Sequence, residues 1–139
     1  MDQTSILLPL MALVSWTFAV LLLIPYQRYK AVRSGKITVD DFKLGESANV
    51  PAVASIPNRN FMNLLEVPVL FYVLCLALCL TQKIDALGLA LAWCYVGLRV
   101  LHSLIHLTYN KVLHRLPAFA TSNVVLVVIW VRLLLELTQ

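Results

Sequence analysis

From Asn58 to Leu80 the chain reads N-R-N-F-M-N-L-L-E-V-P-V-L-F-Y-V-L-C-L-A-L-C-L. Two patterns overlap in this stretch. From Phe61 to Leu80 the run is apolar and about 20 residues long, enough at 1.5 Å per residue to cross a hydrocarbon core of about 30 Å. Arg59, Asn63 and Glu66 sit at its start with spacing i, i+4, i+7. A helix gathers that spacing into one narrow arc, descending about 10 Å from the helix end. Pro68 follows and can bend the helix where the stripe ends. A charge inside a bilayer costs at least about 2.5–3.5 kcal/mol on insertion scales, so such a stripe faces a bundle interior or a wet cavity. The stretch therefore reads as a membrane-spanning helix with one polar face.

Three further apolar runs have a similar length: Ile6 to Tyr26, Ala86 to Tyr109 and Ala118 to Leu135. The 139 residues are 60% hydrophobic and 13% charged, and mean hydropathy is +0.83. An average soluble domain is about 45–50% apolar and about 25% charged. A water-soluble globule of this size cannot hide so much apolar surface, and disorder is excluded by the same composition. Lone strands would leave their backbone unpaired in lipid, so the spans are helices. The first run follows Asp2 with no Lys or Arg before it and is too long for a signal-peptide core. The expected fold is all-α, an integral membrane left-handed four-helix bundle forming a single domain over residues 1–139. Cys75, Cys79 and Cys94 fall inside apolar runs without metal spacing and read as small core packers.

The connections set the orientation. The first, residues 27–58, carries Arg28, Lys30, Arg33, Lys36 and Lys43 against Asp40, Asp41 and Glu46. The third, Asn110 to Pro117, carries Lys111, His114 and Arg115, whereas the second, Thr81 to Asp85, carries Lys83 alone. With Arg132 counted inside the fourth span, loops one and three hold seven Lys/Arg against one. The positive-inside rule then places loops one and three in the cytoplasm and both termini outside. The net charge of +4 suits anchoring at an anionic membrane face. The basic residues are juxtamembrane and form no nucleic-acid stripe, so no nucleic-acid partner is expected. Short loops without an obvious organelle signal suit a bacterial inner membrane, with an endoplasmic-reticulum membrane as the alternative.

The third span carries its own stripe: Arg99, His102, His106 and Tyr109, at i, i+3, i+7, i+10. Counted back from Asn110, His106 lies about 6 Å deep and Arg99 about 16 Å deep. The two stripes thus occupy one leaflet at nearly one depth. They are expected to converge, with Arg115 nearby, on a water-accessible pocket opening toward loops one and three. Guanidinium forks suit carboxylates or phosphates, and Glu66 suits an ammonium or another Arg. The combination fits a small zwitterionic ligand with carboxylates at its ends. A thiol there would ionise more easily, because neighbouring positive charge favours the thiolate. The plainer reading is a packing network in which Arg59 and Glu66 neutralise each other or a neighbouring helix. His102 and His106 could share a metal, but no Cys or carboxylate stands at ligand spacing on the same helix, so no metal is expected. Both imidazoles lie on one helix face and cannot fill opposite axial positions of a haem. A proton or ion path is the third reading.

At these residues the chain resembles the MAPEG family, membrane-associated proteins of eicosanoid and glutathione metabolism, and in particular its microsomal glutathione transferase-like members. The family's second-span pattern R-x-x-x-N-x-x-E followed closely by Pro is present as Arg59, Asn63, Glu66 and Pro68. Its third-span pattern R-x-x-H/Y-x-x-x-Y, followed by a basic residue past the helix end, is present as Arg99, His102 and Arg115. The resemblance covers nearly the whole chain. It implies a homotrimer of four-helix bundles with glutathione, as co-substrate, bound between neighbouring subunits near the cytoplasmic face. It implies that Arg59, Asn63, Glu66 and His102 hold the glutathione backbone, that Arg99 supports the site, and that Arg115 stabilises the thiolate. Arg28 is the nearest counterpart of a first-span arginine that contributes in some members.

Two departures stand out. The family tyrosine four residues after His102 is His106, so one contact is altered or taken over by Tyr109. The serine that follows the terminal arginine in prostaglandin E synthases of the family is Leu116, which weakens the case for prostaglandin isomerase activity. The implied function is a glutathione-dependent membrane transferase or peroxidase. Its thiolate would attack a small lipophilic electrophile or hydroperoxide arriving from the bilayer lipid. The alternative is a non-catalytic membrane binding or assembly protein of the same fold, followed by an ion or proton pathway.

Overall fold

Every long element of the computed structural model, which describes residues 2–35, 37–43 and 45–138, is a helix. Helix α1 spans Leu7–Arg33, α2 Ala52–Leu65, α3 Pro68–Thr81, α4 Ala86–Leu107 and α5 Val112–Thr138. The described residues contain no strand. Helices α2 and α3 form one broken span. Four segments are therefore long and apolar enough to cross a membrane: Gln3–Arg33, Ala52–Thr81, Ala86–Leu107 and Val112–Thr138. The protein is an all-α, multi-pass integral membrane four-helix bundle.

Each outer helix turns one ridge inward and keeps its other faces apolar. Helix α1 buries Pro9, Leu13, Thr17, Val20 and Ile24. Helix α5 buries Ala118, Ser122, Leu126, Ile129 and Leu133. Both series step by four, four, three and four, the stripe of a 3.6-residue period. Outside, α1 shows Leu8, Phe18 and Leu22, and α5 shows Val124, Val127 and Leu134. A helix that is apolar on all sides belongs in lipid. Helix α4 packs chiefly on α5 and α1 chiefly on α2, with α4 also meeting α1 and α2. In the core, Phe71 of α3 stacks on Tyr95 of α4 with ring centres 4.4 Å apart.

The helices outrun the apolar runs that announce them. Helix α1 continues through Pro25 to Arg33, α2 takes in Pro57, and α5 takes in Pro117. Loop one is correspondingly residues 34–51 instead of 27–58. Hydropathy marks only the part of a helix that lipid covers, whereas the polar end turns keep their backbone hydrogen bonds by staying helical. The second span breaks at Glu66, whose φ of −82° and ψ of −101° leave the helical region. Pro68, the first residue of α3, has no amide to donate and its ring crowds the carbonyl four residues earlier. The break falls where the polar stripe ends and sets Glu66 at a bend.

At the far end of the bundle, α3 stops at Gln82 in the left-handed region, φ 55°. The Lys83 amide then closes onto the Leu78 carbonyl at 3.2 Å. Asp85 caps α4: its Oδ1 accepts from the Gly88 amide at 2.7 Å, and its Oδ2 accepts from Arg132 at 2.8 Å. Arg132 also lies 3.8 Å from Glu136. The Gln3 side chain meets the Ile84 backbone twice, at 2.9 and 3.3 Å. Arg132 thus belongs with Lys83 at this end and not to the mid-span interior. The Lys/Arg asymmetry becomes seven against two and keeps its sign.

The Gly88 amide, and after it Arg132, hold the Asp85 carboxyl below the usual carboxylate range. A depressed folded-state pKa adds stability above the unfolded value and loses it as pH falls through the folded value. Asp85→Ala is expected to cost about 1 kcal/mol, as loss of an N-cap does. Thermal melting in detergent checks this. The variant should melt below the parent at neutral pH, and the gap should close in acid. Equal melting at neutral pH would refute the cap.

Candidate functional site

The second-span stripe and the fourth helix meet beside His102. A cleft of about 180 Å³ is lined by Asn63 of α2, His102 of α4, and Val112, Arg115, Leu116 and Phe119 of α5. The turn between α4 and α5 fixes its mouth. Asn110 takes a left-handed conformation, φ 50°, which Asn tolerates better than most residues. Its amide donates to the Ile105 carbonyl at 2.8 Å, and its Oδ1 accepts from Arg115 Nη1 at 2.8 Å. Arg115 is therefore steered by one nitrogen, with other guanidinium donors left for a ligand. Asn63 donates back to the Arg59 carbonyl at 2.9 Å, which leaves its amide oxygen as an acceptor.

Behind the cleft wall lies a buried cation. Arg99 is 1% exposed. Its Nε donates to Tyr95 Oη at 3.1 Å and its Nη2 to Asn123 Oδ1. The guanidinium carbon sits 4.9 Å from the centre of the Phe119 ring. No carboxylate pairs with Arg99 among the described residues, and its Nη1 is buried without a hydrogen-bond partner. His102 and His106 are also buried, with ring centres 6.1 Å apart. Among the described residues the His106 Nδ1 has no hydrogen-bond partner. The electrostatic character of the region is positive, which favours an anion or a thiolate.

The residues expected from the sequence divide into four groups. Asn63, His102 and Arg115 share the cleft. Arg99 and His106 lie inside the chain and not on the cleft wall. Arg59 on α2 and Glu66 at the break after it are exposed; neither has an ion-pair partner among the described residues, so they do not neutralise each other. Tyr109 is exposed and meets His114 at 3.3 Å. Arg28 pairs with Glu46 at 3.5 Å and lies over the Phe42 ring at 4.8 Å. It fastens loop one to α1 and does not line the cleft.

Several polar residues escape a reading of the sequence. Asn60 and Trp16 both donate to Ser103 Oγ, at 2.6 and 2.8 Å, and Asn123 holds Arg99. Trp16 stands in an apolar run, and Asn60, Ser103 and Asn123 each stand beside another polar residue that does not share their contact. The usable signal is spacing: Ser103 stands four residues after Arg99, and Asn60 three before Asn63.

No curated protein and no solved structure matches the chain. The sequence model of the MAPEG family matches residues 6–135, nearly its full length and all four spans. The chain therefore belongs to the MAPEG family, the membrane-associated proteins of eicosanoid and glutathione metabolism.

Proposed function

We propose that this protein is a glutathione-dependent membrane transferase or peroxidase. It would ionise the glutathione thiol and present it to a lipophilic electrophile or hydroperoxide dissolved in the bilayer. The observation that carries the reading is the cleft that joins Asn63, His102 and Arg115. Asn63 and His102 offer hydrogen bonds to a peptide backbone. Arg115 offers a partly buried positive charge where a thiolate would form, and stabilising the thiolate is the main chemical task. Juxtaposing it with a substrate from lipid supplies the remainder.

The proposed site is shared between subunits of a homotrimer. The cleft of about 180 Å³ falls below the roughly 300–1,000 Å³ typical of ligand pockets. Exposed Arg59 and Glu66 continue the Asn63 stripe. A second copy against this face would enlarge the cleft and give both charges partners. The charge asymmetry supports loops one and three in the cytoplasm and both termini outside, as in a bacterial inner membrane.

The test is transfer of glutathione to a model aromatic halide, and reduction of an organic hydroperoxide, by the purified protein in detergent or nanodiscs. Turnover by either route, with bound glutathione ionising at a lower pH than free glutathione, is expected. Absence of both would reject the reading. A second reading is an assembly protein without thiol chemistry. It is favoured by the bond that ties Arg115 to Asn110 at the turn, which gives this arginine a structural task of its own.

A further inference from the structure

We infer that Ser103 is the positioning residue of the site. Its hydroxyl joins α1, α2 and α4 at one buried point and so sets the placement of Asn63 against His102. This inference rests on the proposed binding of glutathione in the cleft.

Trp16 of α1 donates from Nε1 to Ser103 Oγ at 2.8 Å, and Asn60 of α2 donates from Nδ2 to the same atom at 2.6 Å. Both Ser103 and Asn60 are 0% exposed. A hydroxyl oxygen has two acceptor positions, and these two donors fill them. The node lies beside the cleft on both helices. Ser103 follows His102 directly, and Asn60 precedes Asn63 by three residues, less than one turn. Neither Ser103 nor Asn60 lines the cleft, so neither touches the ligand. Their effect runs through Asn63 and His102.

The geometry also explains why a hydroxyl stands here. The neighbouring packing is apolar, and apolar contacts between helices in lipid specify register weakly, because lipid tails are as apolar as the side chains. Two donors aimed at one oxygen tie α1, through Trp16, and α2, through Asn60, to the same point on α4. Removal of the oxygen strands the Trp16 indole N–H and the Asn60 amide in a dry interior, and α2 is free to slide or turn. A displacement of about 1 Å at a reacting group can cost about a hundredfold in rate.

The experiment compares the parent protein with Ser103→Ala, Asn60→Leu, the double variant, and Leu133→Ala, a core truncation at the far end of α5. Glutathione affinity is measured by calorimetry and thermal melting in the same detergent. The parent should bind glutathione; if it does not, the functional reading fails and not this inference. Ser103→Ala is expected to weaken binding about tenfold or more, and Ser103→Thr, which restores the hydroxyl, to recover it. Leu133→Ala should lower the melting point without changing affinity, which separates positioning from mere stability. The double variant should bind no more weakly than the worse single variant, since Asn60→Leu removes one of the two contacts that Ser103→Ala already breaks. If Ser103→Ala binds as the parent does, or if Leu133→Ala loses as much affinity as Ser103→Ala, the inference is overturned. Additive losses in the double variant would also overturn it.

Discussion

Arg115→Ala lowers glutathione turnover by about a hundredfold or more and leaves the assembly intact. That magnitude is typical of removing one group that stabilises developing negative charge in a site shielded from water. The expected loss is large because Arg115 is the cleft residue with a permanent positive charge. Without it, the thiol of bound glutathione should ionise at higher pH, and the acid limb of the rate profile should move upward. Assembly should survive, because Arg115 stands at the cleft edge and its one side-chain hydrogen bond among the described residues goes to Asn110. Arg115→Lys should recover part of the rate, since it restores the charge but not the planar fork. Steady-state kinetics across pH, with the oligomer followed by size-exclusion chromatography, check both points. Unchanged turnover in Arg115→Ala would assign the thiolate to another residue. Loss of assembly together with turnover would favour the structural reading of the Asn110 bond.

The second large effect concerns stability. Arg99→Ala should cost about 3 kcal/mol or more, by analogy with large-to-small truncations of core side chains. Arg99 is among the largest fully buried side chains. Its removal opens a cavity beneath Phe119 and leaves Tyr95 Oη and the Asn123 amide without their partner. Those two polar groups add the penalty of unsatisfied hydrogen bonds in a medium without water. Arg99→Met should be far milder. It fills much of the volume and relieves the cost of burying a cation that has no counter-charge among the described residues. Melting of the two variants in one detergent decides the matter. Equal melting of Arg99→Ala and the parent would refute a stabilising role for this buried side chain and its bonds to Tyr95 and Asn123.

Much of the architecture could be read from composition and spacing, and the reasons are physical. Lipid admits only helices, so four runs of sufficient length fixed the class. The i, i+4, i+7 placement of Arg59, Asn63 and Glu66 marked a polar face because charge inside a bilayer is costly. Helix ends were less legible. Gln27 to Arg33 reads as loop by hydropathy yet continues α1, since a polar helix end is as well solvated in the interface as a loop.

The candidate site was legible in part. Asn63, His102 and Arg115 do come together. Arg99 and His106 share the stripe spacing with His102 but turn inside the bundle, because spacing gives a face and not the neighbour that covers it. Arg28 was tied to the site by its place in the sequence. The structure gives it Glu46 and Phe42, which no periodicity in α1 could announce, since both lie on the loop that folds back. Ser103 and Asn60 were invisible for another reason: each lies off the stripe that its polar neighbour belongs to, and a small polar residue carries meaning only when its partner on another helix is known.

The central claim is that glutathione binds where Asn63, His102 and Arg115 meet, at a boundary between copies of the chain. A structure of the purified assembly soaked with glutathione tests it most directly. The account predicts the tripeptide in this cleft, its sulfur within hydrogen-bond reach of Arg115, with Arg59 and Glu66 turned toward a neighbouring copy. Glutathione bound elsewhere, or Arg59 and Glu66 facing lipid around an empty cleft at saturating ligand, would contradict it.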